Sequence, residues 1–328
     1  MDYTILIRDT LEKLGFELAV SWNTLTPPYL TDTGWTLNLP QVKFGPNTLV
    51  VLHFQDFVSS ETVIEIHKVE QAYGANAGRV LIVHDTLDIS PYYSGPVNLI
   101  RYSSHSNITA TRVKKRLPDW LPAFRNTPRQ GWMSLNGRDC DHRQQVVDIV
   151  QHWPNGTLSY GSKIPLAEYD YTSYPGTEND ENFVRLAPIY ARHPVNIVTE
   201  SQYRGPGMIT EKTLLAMVAC QIPMIISHQH CLAQAQDLGF DIFDDVVDTA
   251  YDQLDDTLRL KTALESNRDL CVNGRDFALY RARLFAQRDF VLNQYPELMA
   301  DRFRQQARQL AFKLLGTQHV DESAHISV

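Results

Sequence analysis

The sequence predicts an α/β protein of two domains, each a mainly parallel sheet covered by helices, the two facing each other across a cleft. Three observations carry this expectation. The chain has 328 residues, too many for one ordinary core and suited to two domains of about 150 residues. Short, continuous apolar runs alternate with segments of helical spacing, the order expected of parallel strands buried on both faces. The stretch Leu117-Pro-Asp-Trp-Leu-Pro-Ala-Phe-Arg-Asn-Thr-Pro-Arg129 holds three prolines in thirteen residues and reads as a linker between two such series. The expected limits are 1–128 for the first domain, 129–316 for the second and 317–328 for a frayed polar tail.

In the first domain, Thr48-Leu-Val-Val-Leu-His-Phe54 is a short run of β-branched and aromatic residues, a buried strand. Residues 59–73 place Val63, Ile64, Ile66, Val69 and Tyr73 at helical spacing, and Gly74 follows as a cap. Arg79-Val-Leu-Ile-Val-His84 is the next strand, Asp85 to Pro91 a polar loop, and Pro96-Val-Asn-Leu-Ile-Arg-Tyr102 a further strand. Trp22 and Trp35 read as core or cleft wall.

The second domain opens with the strand Trp132-Met-Ser-Leu135. Asn136-Gly-Arg-Asp-Cys-Asp-His-Arg143 follows as a loop entering a helix. Asn155-Gly156-Thr157 reads as a turn rather than a glycan acceptor. Residues 165–182, rich in Tyr, Pro, Gly, Asn and Asp, form a long polar loop. A helix from Cys231 ends at Gly239 and leads into a short strand, Phe240-Asp-Ile-Phe243. Residues 255–270 and 275–316 are helical, with Pro296 ending or kinking one helix. There is no internal repeat at solenoid spacing.

Composition narrows the function. The hydrophobic share of 43% and the charged share of 21% are those of a globular protein. No apolar run approaches the roughly 20 residues that span a bilayer. Residues 1–30 lack a secretory pattern, so a cytoplasmic setting is expected. The four cysteines (Cys140, Cys220, Cys231, Cys271) are scattered and read as reduced thiols. A net charge of −8 leans against binding duplex DNA with the whole surface, although Arg112-Val-Lys-Lys-Arg116 could meet a local anion. Arg302-Phe-Arg-Gln-Gln-Ala-Arg308 reads as a solvated helix face.

The most informative segment runs from Asn196 to Ser227. It reads as strand, polar loop, helix, strand. The loop holds Glu200, Arg204, two glycines and a proline, and the helix opens at Thr210-Glu211-Lys212. A helix N-terminus points backbone N–H groups outward. A carboxylate and an ammonium beside it suit a nucleotide, the first accepting from ribose hydroxyls and the second attracting phosphate. The plainer reading of Glu211 and Lys212 is a first helical turn capped by Thr210.

These pieces resemble a known pattern. Val198-Thr-Glu-Ser201, then Ile209-Thr-Glu-Lys212, Ala216 and Ile222-Pro223 look like the donor-binding region of GT-B glycosyltransferases. The likeness is to the fucosyltransferase motif F-E-N-S … V-T-E-K. It is closer to a group of glycosyltransferase-like proteins, many from bacteriophages. That group reads T-E-K-T … P-F … L-G-F-x-T-F … D-E-S-Y-D, and the corresponding pieces here are Thr210-Glu-Lys-Thr213, Pro223-Met224, Leu238-Gly-Phe-Asp-Ile-Phe243 and Asp248-Thr-Ala-Tyr-Asp252. Its L-N-R-x-x-R-x-H-R element is similar to Leu135 to Arg143. The resemblance covers residues 132–260 and implies two Rossmann-like domains and a nucleotide-sugar donor, UDP- or GDP-linked, held by the second. Two departures stand out: Thr199-Glu200-Ser201 lacks the motif asparagine, and Ser227-His228 replaces the glycine after the Pro-led strand.

By this resemblance Lys212 would contact the diphosphate and Glu211 the ribose. Arg138 could reach the same diphosphate or pair with Asp139 or Asp141, with Arg143 and Arg204 in reserve. Tyr203 or Tyr160 would lie near the base. No D-x-D ends a strand, so no metal and no cofactor beyond the donor substrate is expected. Transfer with inversion needs a general base from the first domain, where Asp56, then Asp85 and His84, follow or end strands. Either aspartate could instead simply cap a helix, the commoner role of such a residue. His228 and His230 lack a third ligand for a metal. The acceptor is a glycan, a protein or a modified DNA base. Two rivals remain. The fold could serve as a virion structural or binding module with a decayed pocket. A nucleotide-sugar epimerase would call for a G-x-G-x-x-G after the first strand, which this chain does not have.

Overall fold

The computed structural model describes residues 3–21, 25–26, 36–37, 39–54, 60–84, 93–102, 112–119, 129–137, 139–168, 180–205 and 207–316. The chain divides into two compact units. The first holds the chain up to Ser104 and again from Glu297 onward, and the second runs from His105 to Pro296. The division therefore falls between 104 and 105 rather than between 128 and 129, and most of the last helix belongs to the first unit rather than the second.

The first unit begins with α1 (Tyr3–Lys13), β1 (Glu17–Ser21) and a short antiparallel pair, β2 (Leu25–Thr26) and β3 (Thr36–Leu37). It continues with β4 (Thr48–Phe54), α2 (Ser60–Tyr73), β5 (Val80–His84) and β6 (Asn98–Arg101). The main sheet has the order β1-β4-β5-β6, all parallel. β4 and β5 are buried throughout, as their unbroken apolar runs require of central strands. Gly74 follows α2 with φ of +51°, the left-handed conformation that glycine adopts at helix ends.

The second unit opens with a helix over 112–119 (α3). Then come β7 (Trp132–Asn136), α4 (Asp141–Val150), β8 (Gly156–Tyr160), α5 (Asp180–Arg192), β9 (Val195–Thr199), α6 (Glu211–Val218), β10 (Ile222–Ile226) and α7 (Cys231–Asp237). Helices α8 (Asp256–Ser266), α9 (Arg268–Asn273) and α10 (Arg281–Asp289) complete it. Its sheet has the order β10-β9-β7-β8, again all parallel. The end of the expected linker is anchored here: the Arg129 guanidinium donates to the carbonyls of Ala191, Ala219 and Cys220.

The final helix, α11 (Tyr295–Leu315), follows α10 without a break through a π-helical turn over Phe290–Gln294, and Pro296, which brings no N–H to an interior helical position, stands directly after that widened turn. Met299, Phe303, Ala307 and Ala311 form its buried stripe, and Phe303 meets Tyr102 of the first unit edge-on at 5.8 Å. The Arg302–Arg308 run is thus only partly a solvated face. The expected strand Phe240–Phe243 does not form. Asp241 instead turns the chain by accepting from the Phe243 N–H at 2.9 Å, and Phe243 has φ of +56°, which no strand accommodates. Asn155, at φ of +62°, makes the expected turn into β8.

Candidate functional site

In the second unit the chain goes from β7 to β8 on one side and then to β9 and β10 on the other. The winding direction reverses between β7 and β9. In open parallel sheets ligands bind at such a reversal, outside the carboxyl ends of the strands. Backbone pairing there covers Trp132↔Val195 and Met133↔Asn196. One step further, Ser134 Oγ donates to the Ile197 carbonyl at 3.1 Å, so a side chain stands in the ladder. The strands end at Asn136 and Thr199, both buried. Among the described residues, Asn136 Oδ1 and Thr199 Oγ1 accept or donate no hydrogen bond, a costly condition for buried polar atoms.

The loop after β9 is held by Glu200, which has no solvent exposure. Its Oε1 accepts from the Thr210 N–H (3.0 Å) and Thr213 Oγ1 (2.6 Å), and its Oε2 accepts from Thr210 Oγ1. A carboxylate is favourable against a helix N-terminus, and this one ties the strand end to the start of α6. Thr210 is the N-cap. Having donated to Glu200, its hydroxyl accepts from the Lys212 N–H (3.4 Å) and from Lys212 Nζ (3.2 Å). Lys212 Nζ also donates to Ser201 Oγ (3.1 Å) and Glu211 Oε1 (2.8 Å). The ammonium therefore arches back over the helix start, with its side chain 23% exposed. All three of its donors are engaged.

A packed layer supports this loop. The Tyr203 ring stacks on His142 at 5.4 Å and 10° and lies against the Arg259 guanidinium at 4.6 Å. The Tyr203 hydroxyl donates to the Asp256 carbonyl (2.7 Å) and accepts from the Leu260 N–H (3.0 Å). Arg259, fully buried, donates to the carbonyls of Ser227, Leu254 and Tyr203 and to the Asp256 carboxylate. His142 Nε2–H donates to the Glu200 carbonyl at 3.0 Å. Burial, foremost, with the nearby Arg143 and Lys212 cations, holds its pKa below the usual histidine value, against the upward pull of that hydrogen bond and Asp141. His228 is buried and lowered to about 4, again by burial first. Gly207 passes so close that a Cβ there would lie 2.0 Å from His228 Nδ1, so the loop can lie flat only as glycine.

The sequence-derived candidates thus separate. Thr210, Glu211 and Lys212 meet at the α6 N-terminus as expected, on the reversal of the sheet. Glu200 and Tyr203 are there too, but as supports: the carboxylate of one and the hydroxyl of the other are engaged inside the protein. Arg143 is 2% exposed and donates to the Thr199 carbonyl at 3.4 Å, which puts it beneath the site rather than at its mouth. Arg204 has a side chain 81% exposed and lies 3.8 Å from Asp256. Tyr160 is buried, with its hydroxyl on Asp139, so it is anchored on the β8 side. Arg138, Asp56 and Asp85 lie outside the described residues, as do Trp22 and Trp35. His84 ends β5 in the first unit, is buried, and lines a cavity there.

His142 and Arg259 were not among the candidates. A helix-opening histidine directly after the β7 loop was the available signal for the first. Nothing in the sequence around Arg259 distinguishes it from a surface arginine. Among the described residues no group of three or more His, Cys, Asp or Glu side chains could hold a metal ion, and no helix is long and apolar enough to cross a membrane. The site offers one partly exposed ammonium and a helix N-terminus for an anion, and one adjacent carboxylate for hydroxyl groups. No family model matches the chain, and neither a curated protein nor a solved structure matches it.

Proposed function

We propose that this protein is a glycosyltransferase of the GT-B kind whose second unit binds a nucleotide sugar. The observation that supports it most is positional. The Thr210-Glu211-Lys212 element, read from sequence as a donor motif, starts a helix at the reversal point of a parallel sheet, where the general rule for such sheets puts a ligand. In this reading the donor diphosphate displaces Glu211 from Lys212 and takes the ammonium and the α6 N-terminus as its counter-charge. Glu211, released, accepts from ribose hydroxyls. The acceptor hydroxyl attacks the anomeric carbon, a base of the first unit takes its proton, and the bond to the diphosphate breaks with its electron pair leaving on phosphate. Asp56, Asp85 and His84 are the candidates for that base. Lys212 and the helix end would perform the neutralisation that a metal performs elsewhere.

Isothermal titration with UDP, GDP and their sugar conjugates tests this, with and without EDTA. Binding of at least one, weakened about tenfold or more by Lys212→Ala with the fold intact by circular dichroism, is the expected result. Absence of binding to every sugar nucleotide tried would reject the proposal.

One observation favours a second reading, a non-catalytic binding or structural module. Lys212 is fully engaged by Ser201, Thr210 and Glu211, so the site is already satisfied from within. That reading expects no nucleotide binding from a protein that is otherwise folded.

A further inference from the structure

Cys140 stands at the N-cap of α4, and its side chain makes no capping hydrogen bond. It is partly exposed, whereas Cys220, Cys231 and Cys271 are buried. Burial pushes those three thiols up, which makes them inert. The Cys140 sulfur lies 3.6 Å from His142 Nδ1 and 3.8 Å from Nε2. The two nitrogens are not equivalent. Nε2 sits 3.0 Å from the Glu200 carbonyl, and a carbonyl only accepts, so Nε2 carries the proton. In the neutral ring Nδ1 is then a bare acceptor, and the thiol is the group that meets it. Burial keeps the ring neutral near pH 7 by lowering its pKa. Stacking on Tyr203 and the tie to Glu200 fix its orientation. Nucleophile, base and orienting group thus follow one another, the arrangement that activates a thiol. The charges around the pair mostly favour a thiolate. Arg143 and Lys212 act on the His142 ring, and the start of α4 favours negative charge. Asp141 opposes it. Asp139 is paired with Lys163 at 2.6 Å and accepts from the Tyr160 hydroxyl.

We infer that Cys140 is a modification site whose thiol exchanges with small disulfides, with His142 as the base. His142 Nδ1 takes the thiol proton. The thiolate bonds to one sulfur of a low-molecular-weight disulfide. The S–S bond breaks with its electron pair on the departing sulfur, which takes the proton from His142. One disulfide is consumed and one mixed disulfide forms, so no other oxidant enters. The remaining cysteines are buried, so the adduct stays until an external thiol removes it. The inference is independent of nucleotide binding, because Cys140 and His142 have no part in the donor contacts proposed above.

The test is mass spectrometry of the full folded chain exposed to glutathione disulfide, followed over time and mapped to residues. A single adduct is expected on Cys140, removed by dithiothreitol and lost in Cys140→Ser. Rates are compared at about pH 6.5 and about pH 8.5. A thiol with the ordinary pKa of about 8.5 slows about fiftyfold over that range. Cys140 should slow less than about fivefold, because His142 still accepts its proton. His142→Gln, whose amide can donate to the same carbonyl, should react about tenfold more slowly near pH 7 and regain the steep profile. Where that variant folds poorly by circular dichroism, the pH profile of the unaltered chain decides alone. The inference is overturned if Cys140 follows the ordinary thiol profile, if the buried cysteines react as fast, or if a folded His142→Gln matches the unaltered rate.

Discussion

The two four-stranded sheets described in this protein are both all parallel, yet they are wound differently. The first unit adds its strands in one direction, β1-β4-β5-β6, whereas the second reverses, β10-β9-β7-β8. Only the reversal leaves two adjacent strand ends whose chains depart in opposite directions. There the second unit brings Asn136, His142, Glu200, Thr210 and Lys212 into one neighbourhood. The singly wound sheet has no such gap among its described strands. Its cavity lies instead at the edge strand, where α11 is laid alongside. Similar apolar strands can thus open in two different places, and strand order decides which.

The comparison can be broken by removing what holds each region. In the first unit the closing contact is apolar: Phe303→Ala should cost about 3–5 kcal/mol in chemical denaturation. In the second it is polar. Arg259→Met strands the carbonyls of Tyr203, Ser227 and Leu254, and should cost about 3–5 kcal/mol. A loss under about 1 kcal/mol at Arg259 would mean that the loop is held by something else.

Acid sharpens the contrast further. His228 has a folded-state pKa of about 4 against an ordinary 6.5, so the folded protein binds its proton later than the unfolded chain does. Its neutral form favours folding fully above the ordinary value, and that contribution is lost as pH falls from about 6.5 toward about 4, to a total of roughly 3 kcal/mol. His142 acts in the same direction. Denaturation midpoints measured across this range should fall, and His228→Gln should flatten the slope.

Smaller effects separate support from ligand contact. Glu200→Gln places an amide where three donors converge and should cost about 1–3 kcal/mol, read by thermal unfolding. Lys212→Ala removes a partly exposed ammonium and should change stability by less than about 0.5 kcal/mol. If the two variants were equally destabilised, the distinction between a buried tie and a ligand-facing cation would fail.

Several features were legible before any coordinates. The apolar runs at 48–54 and 222–226 can only be buried strands, and Thr210 caps its helix because a β-hydroxyl before a helical run accepts from the next turn's N–H. Other features were hidden. β8, Gly-Thr-Leu-Ser-Tyr, carries too little apolar signal to stand out from a loop. Phe240–Phe243 looked like a strand because its apolar residues alternate, but Asp241 competes for the backbone and turns it.

By itself the sequence determined the buried strands at 48–54 and 222–226 and the helix that begins at Thr210 with a charged first turn, because periodicity and capping are properties of near neighbours along the chain. Tertiary structure alone decided that Glu200 and Tyr203 support rather than face a ligand, that Arg259 is buried, and that α11 joins the first unit. Those outcomes depend on which distant backbone carbonyls and side chains arrive beside each group, and strand order, not local spacing, brings them there.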